Sequence, residues 1–230
     1  MDRREFLIST STGVSVVMAG CTSDGEADDQ EGSVEVADSD HILGDSVTAP
    51  RDEQIPWARI EVRNPTTVDH GRVQTEVRFY DSEDTLLETR DGYADYLPAN
   101  TVWRDYIRYY TENPERLDRV ETRIVESDST VNGSEISEAS VISSNMTAEA
   151  EGGVDLSAEI DLNDATPDRV TVVGLFFDAQ GRFRGTVRDV EPNPADTVVV
   201  SAGSIGIRTP PNLVDQQVES HELVVLDSSI

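Results

Sequence analysis

An internal repeat of a strand-like segment is the feature that most constrains the fold of this chain. The ten residues RVQTEVRFYD at Arg72–Asp81 recur as RVTVVGLFFD at Arg169–Asp178, 97 positions later. The segment PANTV at Pro98–Val102 recurs as PADTV at Pro194–Val198, 96 positions later, so a single deletion aligns the two halves. Self-similarity at a nearly fixed offset indicates two copies of one structural unit joined in tandem.

Short runs of β-branched and aromatic residues, separated by turn residues, fill both copies. In the first copy they predict strands at 34–36, 57–62, 73–80, 86–90, 102–110 and 120–125. Helix signals occur at Asn113-Pro114-Glu115 and at Pro210-Pro211-Asn212, and each predicts about one turn. The sequence therefore predicts an all-β fold of two tandem immunoglobulin-like β-sandwiches.

The domain boundaries follow from the repeat and from local composition. The first sandwich is expected to span residues 33–128 and the second residues 140–230, with the polar segment 129–139 as a linker. Residues 21–32 are small and acidic without apolar periodicity, which predicts a solvated tether. Residues 1–20 are expected to be a signal peptide.

The charge of the chain excludes one large class of functions. There are 46 acidic residues against 18 basic ones, a formal net charge of −28, and every cation is an arginine. A nucleic-acid binder needs clustered cations, so we expect no nucleic-acid partner. The composition resembles that of proteins from extremely halophilic archaea, where molar salt shortens the Debye length to about 3 Å and screens self-repulsion. A GC-rich genome would explain the missing lysine but not the excess of carboxylates.

The N-terminal sequence MDRREFLISTSTGVSVVMAGC predicts export and lipid attachment. Its apolar stretch is too short to span a bilayer of about 30 Å, which takes about 20 residues. Arg3 and Arg4 with the following Phe6-Leu7 resemble a twin-arginine (Tat) signal, and Met18-Ala19-Gly20-Cys21 resembles a lipobox. We therefore expect the Tat translocase as a partner during export and a lipidated Cys21 that anchors the protein to the outer face of the cell membrane.

A family resemblance rests on two aromatic-aromatic-Asp strand ends. Phe79-Tyr80-Asp81 is followed by Pro98-Ala99, and Phe176-Phe177-Asp178 is followed by Pro194-Ala195. In this pattern both copies resemble the FxLYD domain of archaeal and bacterial surface lipoproteins. The match covers the central third of each copy. It implies a β-sandwich outside the membrane, often in tandem, without catalytic residues.

The sequence has no motif of a known catalytic or metal site. His41, His70 and His221 lack metal-ligand spacing, and no nucleophile elbow, phosphate loop or dinucleotide fingerprint is present. A single cysteine excludes a disulfide framework and a Cys-based zinc site. The turn Asp81-Ser82-Glu83-Asp84 offers oxygen ligands for calcium or magnesium, although turns favour Asp for backbone reasons alone. We therefore predict no catalytic residue, no metal and no cofactor.

Aromatic residues with polar tips mark a candidate partner-binding face. All six tyrosines and both tryptophans lie in the first copy, and Tyr, Trp and Arg are the residues of contact hot spots. Alternation along 102–110 puts Trp103 and Ile107 on one side, and the other side forms an arginine–tyrosine ladder of Arg104, Tyr106, Arg108 and Tyr110. Such a ladder suits a glycan or an acidic envelope protein. The alternative is that the tyrosines cover the sheet and the arginines pair with acidic neighbours.

Two further features complete the predicted sites. The strand 170–177 is apolar on both sides, so Val173, Leu175 and Phe177 are expected to pack against the first copy or a partner chain; coverage by the copy's own loops is the alternative. Asn132 and Asn145 begin candidate glycosylation sequences.

The sequence thus predicts a non-catalytic, lipid-anchored binding or accessory protein of a halophile envelope. The alternative is a surface hydrolase or solute-binding component with a loop-built site.

Overall fold

A computed structural model of the chain describes residues 33–45, 54–110, 113–149, 153–204 and 206–229. Over these residues the protein is all-β, as the sequence predicts, with thirteen strands and two one-turn 3-10 helices at Pro114–Arg116 and Val214–Gln216. No helix in the described ranges has the length and apolar character needed to cross a membrane. The signal peptide, the tether, Arg3, Arg4 and Cys21 lie outside the described residues.

Six strands build the first sandwich. They are β1 (Glu35–Gly44), β2 (Ile55–Arg63), β3 (Val73–Tyr80), β4 (Leu86–Ala94), β5 (Val102–Arg108) and β6 (Arg119–Ser127). Antiparallel pairing gives two layers, β1-β2-β5 and β4-β3-β6. Ala58 and Ile60 on β2 and Val77 and Phe79 on β3 pack together, and the ring of Tyr109 stacks on Phe79 with centroids 5.0 Å apart.

The second sandwich repeats this connectivity. Its strands are β7 (Ser134–Glu135), β8 (Ser140–Glu149), β9 (Gly153–Asp161), β10 (Arg169–Asp178), β11 (Phe183–Pro192), β12 (Thr197–Ser204) and β13 (Val218–Asp227). The layer β8-β9-β12 corresponds to β1-β2-β5, and β11-β10-β13 corresponds to β4-β3-β6. The sequence repeat is therefore a repeat of strand order, with β7 added at the edge beside β13.

A single seven-stranded sheet joins the two sandwiches. Strand β5 runs parallel to β11 and pairs with it at Trp103 and Phe183, which gives the order β1-β2-β5-β11-β10-β13-β7. A shared hydrophobic cluster lies at this junction, with Val62, Val73 and Leu97 from the first half and Val173 and Leu175 from the second. The described residues consequently belong to one compact unit.

Three local differences separate the structure from the sequence expectations. The first strand runs on to Gly44 through a bulge at Val36–Asp38. The one-turn helix expected at Pro210 begins at Val214 instead, after a turn closed by the Leu213 amide and the Pro210 carbonyl. The segment expected to be a linker includes β7 and the buried Ile136, which packs in the core of the second sandwich.

Candidate functional site

A cleft of about 300 Å³ opens where β4 and β5 of the first sandwich meet β11 and the end of β12 of the second. Four arginines line it, from four different segments: Arg90, Arg108, Arg184 and Arg208. Two carboxylates, Asp91 and Asp105, share the lining. Because the chain as a whole carries a net charge of −28, an excess of cations over carboxylates makes this cleft electrostatically unlike the rest of the molecule.

A β-bulge turns the side chain of Arg184 into the junction. On β10, Phe176 pairs with Gly185 and Phe177 pairs with Phe183, so Arg184 has no partner across that strand. Gly185 follows with φ of 145°, a conformation that L side chains rarely adopt. Bulges of this kind re-aim side chains beside functional sites. Here the bulge also leaves the Arg184 carbonyl to accept a hydrogen bond from Trp103 Nε1 at 3.2 Å.

The guanidinium of Arg184 ties the two sandwiches together. Its Nε donates to the carbonyl of Arg104 on β5 at 2.9 Å, and its Nη2 donates to the carbonyl of Arg208 at 3.1 Å. Nη1 donates to the carbonyl of Gln216, and the group lies 4.8 Å from the ring centroid of Tyr106. Burial lowers the pKa of Arg184, which the charge of Asp105 opposes. A guanidinium nevertheless stays protonated in proteins, so its positive charge is fixed in the wall of the cleft.

Asp105 is a buried carboxylate in the same wall. It lies on β5, is 5% exposed, and its Oδ1 accepts a hydrogen bond from the amide of Tyr106 at 2.7 Å. Burial raises the pKa of Asp105 to about 6, against the opposing effects of Arg184 and of that amide. Gly92 on β4 keeps room for the carboxylate, because a Cβ there would stand 3.1 Å from Asp105 Oδ2. The cleft therefore holds an acid that titrates near neutral pH.

Tyr110 is the centre of an arginine cluster at the mouth of the cleft. The guanidinium carbons of Arg90 and Arg108 each lie 4.8 Å from its ring centroid, and Arg208 Nη1 donates to its hydroxyl at 2.7 Å. Arg90 also pairs with Glu88, whose carboxylate accepts from the Tyr110 amide at 3.2 Å. We call Arg90, Arg108, Arg208 and Tyr110 the arginine cluster. It brings three cations from β4, β5 and the segment after β12 onto one aromatic side chain.

The predicted arginine–tyrosine ladder divides between this cleft and the interior. Arg108 and Tyr110 belong to the arginine cluster, whereas Arg104 pairs with Glu61 on β2, as the alternative reading expects. The expectation that Tyr106 is exposed is wrong, because it is 2% exposed and its hydroxyl contacts Gln216. Leu213 packs against the hydrophobic group that Tyr106 forms with Ile55 and Trp57. The outer face of β5 is thus covered in its middle by the second sandwich, which alternation along one strand does not reveal.

The other predicted site residues lie away from the cleft. Val173 and Leu175 are buried in the cluster shared by the two halves, and Phe177 is partly buried with its ring 5.9 Å from that of Phe183. Asn132 is exposed in the loop before β7, and Asn145 is exposed on β8. Neither Asn132 nor Asn145 lines the cleft.

The acidic turn after β3 is held by its own backbone. Asp81 Oδ1 accepts from the amides of Glu83 and Thr85 at 3.0 and 2.9 Å, and Oδ2 accepts from Arg116 at 2.8 Å. The Thr85 amide and then Arg116 lower the pKa of Asp81. The equivalent Asp178 accepts from the amides of Gln180 and Arg182, both at 3.0 Å. Within the described ranges no group of three or more His, Cys, Asp or Glu side chains could hold a metal ion.

The three histidines are far apart in the fold. His41 is on β1, His70 is buried in a bridge to Leu97, and His221 on β13 contacts Ser144 Oγ at 3.0 Å.

The sequence analysis did not identify Arg184, Arg90 and Arg208 as residues of the cleft. One signal was available in the sequence repeat. At the offset of 97 positions, Arg184 corresponds to Leu87 of the first copy, which is likewise the unpaired bulge residue of β4.

No protein-family model and no curated protein matches this chain.

Proposed function

We propose that this protein is a non-catalytic binding module, anchored by a lipid on the outer face of the cell membrane, whose ligand contacts the cleft between the sandwiches. The observation that carries the proposal is the arginine cluster: three arginines from separate segments converge on the half-exposed Tyr110. Arg and Tyr are the residue types that contribute most to contact energies. In a chain of net charge −28, such a cluster favours an acidic ligand.

The position of the cluster also suits binding. Arg90 and Arg108 lie on strands of two different sheets of the first sandwich, while Arg208 belongs to the second. Because Arg184 and the shared core fix the two halves against each other, the side chains reach the cleft from backbones that are already ordered. Preorganised contacts spend less of the binding free energy on ordering.

Export and anchoring complete the proposal. Arg3 and Arg4 would direct the folded chain through the Tat translocase, and a lipidated Cys21 would then hold it at the membrane. Residues 21–32 would then separate the lipid from the first sandwich. The net charge of −28 and the absence of lysine support a salt-rich exterior, where the Debye length is about 3 Å and only contact pairs retain their strength.

The test is capture of envelope material by the mature chain. Wild type, Arg108→Glu and Arg63→Glu are immobilised and exposed to detergent-solubilised envelope and to its released saccharides in molar potassium chloride. Arg63 is an exposed arginine at the end of β2, outside the cleft lining, so Arg63→Glu controls for a change of net charge. We expect Arg108→Glu to capture at least about tenfold less material than wild type or Arg63→Glu. Charge reversal at a hot spot costs about 2 kcal/mol or more of binding free energy. Equal retention by all three proteins, or none by the wild type, contradicts the proposal.

A hydrolase is the second candidate, and Asp105 is the observation that favours it. A buried carboxyl with a pKa of about 6 in a cleft has the property required of a general acid. In that case Asp105→Asn would abolish release of product from envelope saccharides while leaving their capture intact. Wild-type protein that captures saccharides without cleaving them excludes this second function.

A further inference from the structure

The ligand class can be argued from the groups that line the mouth of the cleft. The arginine cluster is rich in donors: a guanidinium carries five N–H groups in a planar fork. Three guanidinium groups held around one ring repel one another. Glu88 pairs with Arg90, and of the two carboxylates that line the cleft, Asp105 is driven toward its neutral form by burial. An acidic group that contacts the cluster from the mouth of the cleft would reduce this repulsion.

The expected salt-rich surroundings restrict which acid can stay bound. At molar salt, attraction beyond about 3 Å is screened, so a ligand held only by the field of the cluster would be released. A carboxylate pairs with a guanidinium through two parallel hydrogen bonds, a contact that a spherical halide cannot reproduce.

Two further side chains favour an acid that also carries hydroxyl groups. Asp91 lines the cleft beside Arg90 and is exposed; a carboxylate there repels a simple anion but accepts hydrogen bonds from hydroxyl groups. Tyr93 and Tyr110, 51% and 48% exposed, offer aromatic surface next to these polar groups. A volume of about 300 Å³ is at the lower end of the range for small-molecule pockets, which suits a single ring or the end of a chain.

We infer that the cleft binds an acidic saccharide, with its carboxylate on the arginine cluster and its hydroxyl groups toward Asp91. The inference rests on the proposed binding function and names the ligand class of that site. The carboxylated ring could come from a free sugar acid or from the end of an acidic polysaccharide. Both present the same groups to the cleft.

The experiment is isothermal titration of the mature chain in molar potassium chloride with four probes: glucuronate, glucose, acetate and a short oligoglucuronate. Glucuronate should bind, while glucose lacks the acid and acetate lacks the hydroxylated ring. Arg108→Gln should weaken glucuronate at least about tenfold, through loss of a charge-assisted pair, and Arg63→Gln should leave it unchanged. Tyr110→Phe keeps the ring but removes the acceptor of Arg208, so it should also weaken glucuronate. Urea unfolding of each variant checks that the fold is retained.

The outcomes separate this inference from the proposed function. No binding of glucuronate, equal binding of acetate (an adventitious ion only), or binding unaffected by Arg108→Gln each overturns the acidic-saccharide assignment. If envelope capture still depends on Arg108 in that case, the proposed function stands with another ligand. If capture does not depend on Arg108, the proposed function itself fails. Tighter binding of oligoglucuronate than of glucuronate identifies a chain end as the source, and equal binding identifies the free acid.

Discussion

Asp105 and Arg184 are a buried acid and a buried base that face one cleft from different sandwiches. Arg184 donates hydrogen bonds to three backbone carbonyls and is also stabilised by the charge of Asp105, so the loss of Asp105 would leave its hydrogen bonds in place. Asp105 is less well compensated, because its Oδ1 accepts a single amide hydrogen bond and burial raises the pKa of the carboxyl to about 6. The carboxyl is therefore the member of the pair that responds to pH.

Asp105→Asn should make the stability of the protein less dependent on pH. Because burial raises the pKa of Asp105 from its ordinary 3.8 to about 6 in the folded protein, wild type gains stability relative to the variant that is fully present below about pH 4. That advantage is lost as the pH rises through about 6. The full change corresponds to about 3 kcal/mol. Urea unfolding of both proteins in molar potassium chloride between pH 4 and pH 8 measures the difference, in which the titration of the other carboxylates cancels. A difference that stays constant with pH would contradict the burial argument.

At the scale of elements, the hairpins after β3 and β10 are the same turn with different residues. Asp81 and Asp178 each accept two backbone amides, and the left-handed position of the turn is Asp84 with φ of 61° in one copy and Gly181 with φ of 72° in the other. The aromatic-aromatic-Asp pattern thus has a structural explanation, since the strand ends in the residue that closes its turn. Acidity alone suggested cation binding there, but the hydrogen bonds employ the same oxygen atoms.

Asp178→Ala should destabilise the protein by about 2–3 kcal/mol, because it removes a buried carboxylate that accepts hydrogen bonds from two backbone amides and from Arg182. Asp178→Asn keeps an acceptor oxygen and should cost about 1 kcal/mol or less. Ala179→Ser in the exposed part of the same turn is the matched control and should have no measurable effect. Free energies of unfolding from urea titration give the comparison. An Asp178→Ala variant as stable as the control would show that the turn does not depend on this carboxylate.

For the whole molecule, the sequence predicts each sandwich better than it predicts the junction between them. The strands follow from alternation within eight or ten residues, and the repeat identifies their shared order. The cleft depends instead on distant contacts, such as the bond from Arg184 to the carbonyl of Arg104, 80 positions away. Tyr106 shows what alternation along a strand cannot predict. Its own strand places it on an outer face, and residues of the second sandwich cover that face. The arrangement of two copies therefore creates a cleft that neither copy contains alone.

The proposed anchoring of this unit at the cell surface depends on Cys21, and Cys21→Ala tests it. One acyl chain binds a membrane only marginally, whereas two hold a protein stably, at about 0.8 kcal/mol per buried methylene. We therefore expect the variant to appear in the growth medium while wild type fractionates with membranes. Replacing Arg3 and Arg4 by lysine is the control for export, since it should keep the precursor inside the cell and leave Cys21 unmodified. Membrane retention of Cys21→Ala equal to wild type would contradict the lipid anchor. If an acidic saccharide bound in the cleft held the protein instead, adding Arg108→Gln to Cys21→Ala would release it.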